Sequence, residues 1–467
     1  MRSFSADNTL ATQHDDKISR GLKKDVQLKK CQVDSKSQGE RWLKRRLLEM
    51  DWITEPERKI PIVAGVDMLV CGGGVAGVAA AVSAARNGVR VLLVERYGFL
   101  GGLATGGLVI TTPPLNNGIN SEIRKRLEDA KTYRKCRDTG DDPAVASLVA
   151  VDPEVLKYEL VRMLLEQNVK LLLHTYIVQS IMEDNVIKGV IVESKGGRAA
   201  ILAKMIVDVT GDGDVSASAK APYEIAEEPL PVTLMFNMVD VDTKKAIKQI
   251  GNWGNLRKLV EEAVKSGELS FDLELYTKGF APGVFAANLC YPGEINVWSG
   301  SLFGINGLDP EQLTKAEIVT REHAMRLATF LKKKLSGFEK SRIEYTATQV
   351  GVRETRRVIG GIIPSLDDVM TQKFSDTVAK PYSDREMRVP YRSLVPQQVE
   401  NLLVAGRCIS AKQDAMVQLR LIPVCFATGQ AAGTAAALAL REGVKPRQLN
   451  VSLLQRTITS QGMALGL

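Results

Sequence analysis

The stretch CGGGVAGVAAAVSAARNGVRVLLVERYGFLGGLATGG, residues 71–107, decides the fold class of this chain. The apolar run VDMLVC (66–71) leads into it and has the composition of a strand that is buried on both faces. The glycines that follow have the spacing G-x-G-x-x-G. The first permits a tight turn, the second lets a diphosphate approach the backbone, and the third lets a helix pack closely. These glycines are Gly72, Gly74 and Gly77.

An alanine-rich helix and a second strand complete a βαβ unit around the glycines. The helix is predicted over Val75–Arg86 and ends at Asn87, and VRVLLVE then forms a strand that finishes in Glu95. Glu95 lies 18 residues after Gly77, where an acid accepts hydrogen bonds from a ribose diol and repels a 2'-phosphate. The unit therefore predicts a dinucleotide site with its phosphates at the helix N-terminus.

A second glycine-rich loop, RYGFLGGLATGG (96–107), indicates which dinucleotide is bound. A domain that binds NAD would pass directly to its next βα unit after the second strand. The extra loop holds another backbone surface open and favours the longer ligand, FAD. Its glycines are Gly101, Gly102, Gly106 and Gly107.

From about residue 61 to its C-terminus, the sequence resembles the FAD-dependent oxidoreductase family of bacterial flavoproteins, within the glutathione-reductase-like superfamily. The resemblance implies an α/β fold in which a Rossmann-like FAD-binding domain with a parallel sheet is interleaved with a second α+β domain that caps the substrate. It rests on the glycine motif and on ERYGFLGGLATGG, VDPEVLKYEL, VDVTGDGD, GVRETRR, VPYRSL, NLLVAGRCIS and QLRLIPVCFATGQAAGTAAALAL.

Changes of pattern along the chain predict the domain boundaries. Residues 1–60 form a polar, basic extension. The FAD-binding domain comprises 61–115, 151–228 and 345–467, and the cap comprises 116–150 and 229–344. Within the FAD-binding domain, Asp152 caps a helix that begins at Pro153, and an antiparallel ribbon returns to the sheet at Asp208.

The resemblance extends the expected FAD contacts beyond Gly72, Gly74, Gly77 and Glu95. No metal site is predicted, because the acids of VDVTGDGD fit no calcium-loop spacing and no histidine lies near them. The further contacts are Val75, Ala76, Arg96, Gly101, Gly102, Thr105, Ile177, Thr210, Gly211, Gly406, Arg407, Pro423 and Gly429.

The run LIPVCFATGQAAGTAAALALREG predicts a long helix with Pro423 in its first turn and Gly443 after its end. Gly429 and Gly433 give the helix a smooth face, which predicts close packing against a sheet in a soluble protein. In the family, the N-terminus of this helix points at the flavin pyrimidine ring. Its partial positive charge would stabilise the negative charge that flavin reduction creates.

Three arginines are candidates for catalysis: Arg353 and Arg357 in GVRETRR, and Arg420 just before the last long helix. Each could face the flavin or an anionic substrate, because guanidinium groups bind anions through paired hydrogen bonds. The alternative is that each forms a structural ion pair.

The formal net charge is +8 and the sequence pI is about 9.0, which permits contact with nucleic acid or anionic membranes. The basic excess is concentrated in residues 1–60 and in RKRLEDAKTYRKCR (124–137). We expect the second cluster to border the cap and attract an anionic substrate. Nucleic acid is not an expected partner, because only 5% of the residues are aromatic and they do not alternate with the basic ones.

Six cysteines without a C-x-x-C spacing indicate neither a disulfide framework nor an iron–sulfur site. The N-terminus has no apolar core of a signal peptide, and no apolar run reaches about 18 residues. We therefore expect a cytoplasmic protein with no membrane partner.

The chain has one G-x-G-x-x-G motif and no redox-active cysteine pair, so the flavin N5 atom must exchange a hydride directly with a small molecule. The sequence does not identify the electron donor or acceptor. Two alternatives remain open: a tRNA-modifying flavoprotein, like glucose-inhibited division protein A, and a flavin-binding protein without turnover.

Overall fold

The computed structural model describes residues 53–141, 143–271, 280–281 and 284–466. The predicted extension over residues 1–60 lies almost entirely outside the described residues. Up to residue 228 the strands are β1 (Ile62–Cys71), β2 (Val91–Val94), β3 (Thr111–Thr112), β4 (Tyr133–Lys135), β5 (Val149–Val151), β6 (Lys170–Leu172), β7 (Tyr176–Glu183), β8 (Val186–Ser194), β9 (Gly197–Asp208) and β10 (Tyr223–Ile225). The helices there are α1 (Val75–Arg86), α2 (Ile119–Asp129), α3 (Pro143–Ala146), α4 (Pro153–Glu166) and α5 (Asp214–Ser218).

The remaining part of the chain contributes shorter strands and the longest helices. Its strands are β11 (Met235–Val239), β12 (Phe280–Ala281), β13 (Phe285–Asn288), β14 (Ile295–Trp298), β15 (Ser301–Leu302), β16 (Arg342–Thr346), β17 (Arg356–Val358), β18 (Thr377–Ala379), β19 (Val389–Pro390) and β20 (Leu402–Val404). Its helices are α6 (Thr243–Ile250), α7 (Leu256–Lys265), α8 (Pro310–Lys334), α9 (Leu366–Thr371), α10 (Met416–Leu419), α11 (Ile422–Glu442) and α12 (Val451–Ser460).

A seven-stranded sheet organises the described chain, in the order β6-β2-β1-β9-β8-β7 with β20 also paired to β9. Strands β6, β2, β1, β9 and β20 are parallel, and β7 and β8 form the predicted antiparallel ribbon. Cys71 pairs in register with both Val94 and Asp208, and Val404 also pairs with Asp208. Four strands therefore end at one edge of the sheet, which is where parallel α/β sheets bind ligands.

The helices that flank this sheet begin and end as their sequence signals predict. Helix α1 has the predicted bounds, and α4 begins at Pro153 as expected. The Asp152 carboxylate accepts hydrogen bonds from the backbone N–H groups of Glu154 and Val155, at 2.8 and 3.0 Å. This cap satisfies donors that have no partner inside the helix.

Helix α11 is long and apolar enough to cross a membrane by length and composition, but its apolar window is entirely buried inside the protein. The glycine face of α11 was predicted to pack against a sheet, but it packs against a helix. A Cβ atom on Gly429 or Gly433 would collide with the backbone carbonyl of Ala76 or Ala80, respectively. The glycines thus bring α11 against helix α1, because only a face without side chains admits another helix backbone this closely.

A separate antiparallel sheet, in the order β13-β14-β11-β16, belongs to the region that was predicted as the cap. Helices α6, α7 and α8 come from the same region, which gives it the predicted α+β composition. The predicted α/β class, with a Rossmann-like sheet interleaved with an α+β region, is confirmed. Residues 54–467 form one compact unit, so the exact domain boundaries remain a prediction.

Candidate active site

The turn after β1 shows why three glycines are needed and why their roles differ. Gly72 has a φ of +118°, and a Cβ atom there would lie 2.5 Å from the Val209 carbonyl oxygen. A Cβ atom on Gly77 would collide with the Gly72 carbonyl oxygen. A Cβ atom on Gly74, in contrast, meets nothing within 4 Å. Gly72 and Gly77 therefore close the turn, while Gly74 leaves open space in front of the helix N-terminus.

Glu95, at the end of β2, is buried, with 7% of its surface exposed. Its carboxylate accepts hydrogen bonds from Gly73 N at 2.5 Å and from Tyr97 N at 2.9 Å. These bonds tie the first glycine turn to the second loop. Because each carboxylate oxygen has further lone pairs, Glu95 can also accept hydrogen bonds from a ribose.

The second glycine-rich loop lies directly beside the first turn. Gly101 N donates a hydrogen bond to the Gly73 carbonyl oxygen at 2.9 Å, and Gly101 also forms a parallel bridge with Gly74. The Thr105 hydroxyl donates to the Leu100 carbonyl oxygen at 2.6 Å and is buried. Thr105 therefore stabilises the second glycine-rich loop without lining the cavity.

A cavity of about 470 Å³ opens at the edge where the four strands end. Residue Ile177 lines a small adjoining pocket together with Glu95 and Tyr176. Four predicted contacts, Gly77, Thr105, Pro423 and Gly429, are outside the lining of both spaces. The predicted contacts that line the main cavity are Gly72, Gly74, Val75, Ala76, Glu95, Arg96, Gly101, Gly102, Thr210, Gly211, Gly406 and Arg407.

Two ion pairs in the cavity wall were missed by the sequence analysis. Asp212 pairs with Arg407 at 2.7 Å, and Asp214 pairs with Arg356 at 2.8 Å. Burial opposes ionisation of Asp212, but the Arg407 charge and a hydrogen bond from Thr355 outweigh it and lower the pKa of Asp212. In the sequence analysis, the three acids of VDVTGDGD were considered only as possible metal ligands. Two of them pair instead with arginines that lie far along the chain.

Arg407 also presents a donor that no described residue uses. Its Nη1 atom is buried without a hydrogen-bond partner among the described residues, while Nη2 is held by Asp212. A Cβ atom on Gly211 would lie 3.0 Å from Nη2, so the glycine gives the guanidinium room. The free donor belongs to a residue that lines the cavity and suits an anionic group of a ligand.

The three candidate catalytic arginines have different surroundings. Arg357 is buried, forms an ion pair with Glu354 and donates from Nε to the Ala411 carbonyl oxygen at 3.1 Å. It does not line the cavity, so the structural alternative describes it. Arg420 lines the cavity. Arg353 does not line it, but lies close enough for the charge of Arg420 to act on it.

The basic cluster 124–137 does not contribute to the described lining of the cavity. Arg126 is held among Glu122, Glu159 and Glu166, and Arg124 pairs with Glu128. These ion pairs engage Arg124 and Arg126, whose charges were expected from the sequence to attract an anionic substrate.

The remaining wall of the cavity is largely apolar and comes from the region predicted as the cap, from the segment after β16, which was predicted as part of the FAD-binding domain, and from the start of α11. The Tyr97 hydroxyl donates a hydrogen bond to the Gln349 side-chain oxygen, which joins the second loop to the segment after β16. Sequence periodicity contains no signal for these contacts, because they join distant segments. The apolar lining residues are Leu308, Leu313, Val350, Val352 and Ile422.

The chain belongs to the FAD-dependent oxidoreductase family, whose model matches residues 67–458. This confirms the resemblance and establishes an FAD-dependent oxidoreductase with FAD as its cofactor. The site fits FAD, because Gly74 leaves open space at the N-terminus of α1 and Arg407 has a free buried donor. Gly72–Ala76, Glu95 and Arg407 are the residues that we propose hold it. No curated protein shows significant sequence similarity to the chain.

Several solved flavoprotein structures are similar to the chain at low sequence identity. A geranylgeranyl bacteriochlorophyll reductase-like protein of Thermoplasma acidophilum shares 13% identity at a TM-score of 0.49, with 86% of this chain and 84% of that chain covered. p-Nitrophenol 4-monooxygenase of Pseudomonas putida shares 14% identity at a TM-score of 0.45, with 85% of this chain and 89% of that chain covered. A triple mutant of a flavin-dependent brominase shares 12% identity at a TM-score of 0.46, with 85% of this chain and 84% of that chain covered.

Proposed function

We propose that this protein transfers a hydride between a small molecule and the N5 atom of FAD, with a second small molecule as electron donor or acceptor. The flavin, when bound, supplies the hydride chemistry. The observation that carries the proposal is the continuous cavity, which extends from the glycine turn to an apolar wall at Leu308, Val352 and Ile422. That wall would hold a substrate away from water.

The relative position of α1 and α11 supports this arrangement. Gly429 lies against Ala76 and Gly433 against Ala80, so the two helices run parallel and in register. Helix α11 begins seven residues before Gly429, and α1 begins one residue before Ala76, so α11 extends six residues, roughly 9 Å, beyond the start of α1. Its positive N-terminal end would stabilise negative charge beyond the phosphate site.

Anaerobic mixing of the purified yellow protein with metabolite pools tests the proposal. We expect at least one pool to bleach the flavin absorbance, and a second compound to restore it. Substrate conversion that requires molecular oxygen and an externally reduced flavin would instead indicate an oxygenase. The absence of bleaching by every pool would favour flavin binding without turnover.

We also propose a cytoplasmic location. The five cysteines of the described chain are buried and free, namely Cys71, Cys136, Cys290, Cys408 and Cys425. Buried free thiols suit a reducing compartment. Cell fractionation tests the proposal, and recovery with the membranes or outside the cell would contradict it.

A further inference from the structure

Arg420 lines the cavity and forms no ion pair with any described residue. It lines the cavity one residue before the cap of α11, and its Nε atom is buried with no hydrogen-bond partner among the described residues. No described residue forms an ion pair with it, although burial lowers its pKa. A partly buried cation without an ion-pair partner adds little to the stability of the fold, so its presence indicates another role.

Arg353 is a second, partly buried cation beside it, and its described hydrogen-bond partners are neutral. Its Nη1 atom donates to the Pro231 carbonyl oxygen at 2.9 Å, and its Nη2 atom donates to the Thr233 hydroxyl at 2.8 Å. Burial, followed by the positive charge of Arg420, lowers the pKa of Arg353 to about 10. The two arginines therefore repel each other where solvent does little to screen them.

The nearby acids of the described chain are already engaged. Glu354 pairs with Arg357 and also accepts hydrogen bonds from Leu230 N and the Gln413 side chain. Asp212 and Asp214 are held by Arg407 and Arg356. Within the described residues, neither Arg353 nor Arg420 has an ion-pair partner, and Glu354, whose charge acts on Arg420 from a distance, is already paired with Arg357.

We propose that Arg420 forms an anion site that binds the carboxylate of the substrate, with Arg353 beside it adding positive charge, and that the substrate is a carboxylic acid with an apolar body. Planar guanidinium groups match the geometry of a carboxylate. The apolar wall at Leu308, Val352 and Ile422 would contact the rest of the molecule. The assignment rests on the proposed function, because it names the substrate class of the same cavity.

Titration of the FAD-loaded protein with acetate, butyrate and benzoate, each beside its neutral amide, tests the proposal by calorimetry. We expect at least one acid to bind at least about tenfold more tightly than its amide. Arg420→Met should weaken that binding at least about tenfold, and Arg420→Lys should retain part of it. Arg441→Met, an exposed arginine at the other end of α11, is the matched control and should bind the acid normally.

Thermal unfolding distinguishes ligand binding by Arg420 from a purely structural role of this residue. Because Arg420→Met removes a partly buried charge that has no ion-pair partner among the described residues, the variant without added acid should melt at the wild-type temperature or above it. The bound acid should raise the melting temperature of the wild type but not of the variant. A destabilised Arg420→Met that still binds the acid would overturn the proposal.

Equal binding of acids and amides would overturn the carboxylate assignment, as would sulfate binding more tightly than every acid. If no acid binds but a neutral metabolite bleaches the flavin, the anion site is wrong and the proposed function stands. If an acid binds through Arg420 but no metabolite bleaches the flavin, the anion site stands and hydride transfer is wrong.

Discussion

Gly74 and Gly77 belong to the same motif but have opposite surroundings at the residue scale. The position of a Cβ atom is open at Gly74 and blocked by the Gly72 carbonyl at Gly77. Gly74 also has extended backbone angles, with φ of −65° and ψ of 177°, which other residues adopt without strain. The absence of a side chain thus serves the cofactor at one position and the fold at the other.

Replacing these two glycines should therefore separate cofactor binding from stability. Gly74→Val should fold normally but purify colourless, because its side chain would fill the space of the diphosphate. Gly77→Ala should lower the free energy of unfolding by roughly 1–3 kcal/mol or more through overpacking. The ratio of flavin to protein and the melting temperature of the FAD-free proteins check both expectations. Full flavin occupancy in Gly74→Val would contradict the assigned phosphate site.

Replacing Glu95 should weaken FAD binding in proportion to the hydrogen bonds that are lost. Glu95→Ala should cost roughly 1.5–3 kcal/mol of binding free energy, as expected for hydrogen bonds to a charged group, and Glu95→Gln should cost less. Titration of the FAD-free protein with FAD measures both. Glu183→Ala, at an exposed acid of β7, serves as the control. Equal affinity of Glu95→Ala and the wild type would refute the ribose contact.

At the scale of elements, the contact between α1 and α11 links the phosphate site to the other end of the cavity. Gly429 and Gly433 face the backbone of α1 at Ala76 and Ala80, so the two helices are fixed relative to each other. A shift of α11 would displace Arg420 relative to the glycine turn. Helix packing therefore determines how far the anion site lies from the cofactor phosphates.

Gly433→Ala should destabilise the protein, because its methyl group would collide with the Ala80 carbonyl. We expect a loss of roughly 1–3 kcal/mol or more in the free energy of unfolding, measured with denaturant. Gly65→Ala in β1 is a matched control with nothing within 4 Å of the added atom, and it should change stability by less than about 0.5 kcal/mol. Similar stabilities of the two variants would contradict the close packing.

At the scale of the whole molecule, the cavity is assembled from seven separated parts of the chain. They are Tyr176 and stretches within residues 72–76, 95–104, 209–214, 307–317, 349–356 and 405–425. The stretch 307–317 belongs to the predicted cap. A ligand that contacts all seven would stabilise the packing of sequence-distant segments, which folding otherwise orders at a cost in entropy.

Removing FAD should therefore lower the melting temperature of the entire described unit in one transition. With free FAD at about 100 times its Kd, the bound state should be more stable by about 2.7 kcal/mol. Calorimetric scans of the protein with and without FAD measure the shift. Two separate transitions, only one of which responds to FAD, would show that the predicted cap unfolds independently.

The sequence alone determined the elements whose signals are local. The glycine motif, the cap at Asp152 and the acid at Glu95 each depend on a few neighbouring residues, so their structures could be predicted together with FAD as the cofactor. Tertiary structure decided which distant groups meet. It pairs Asp212 with Arg407, places the glycines of α11 against a helix and leaves Arg420 without an ion-pair partner among the described residues. Such contacts join residues up to hundreds of positions apart, and the spacing of side chains along the chain carries no information about them.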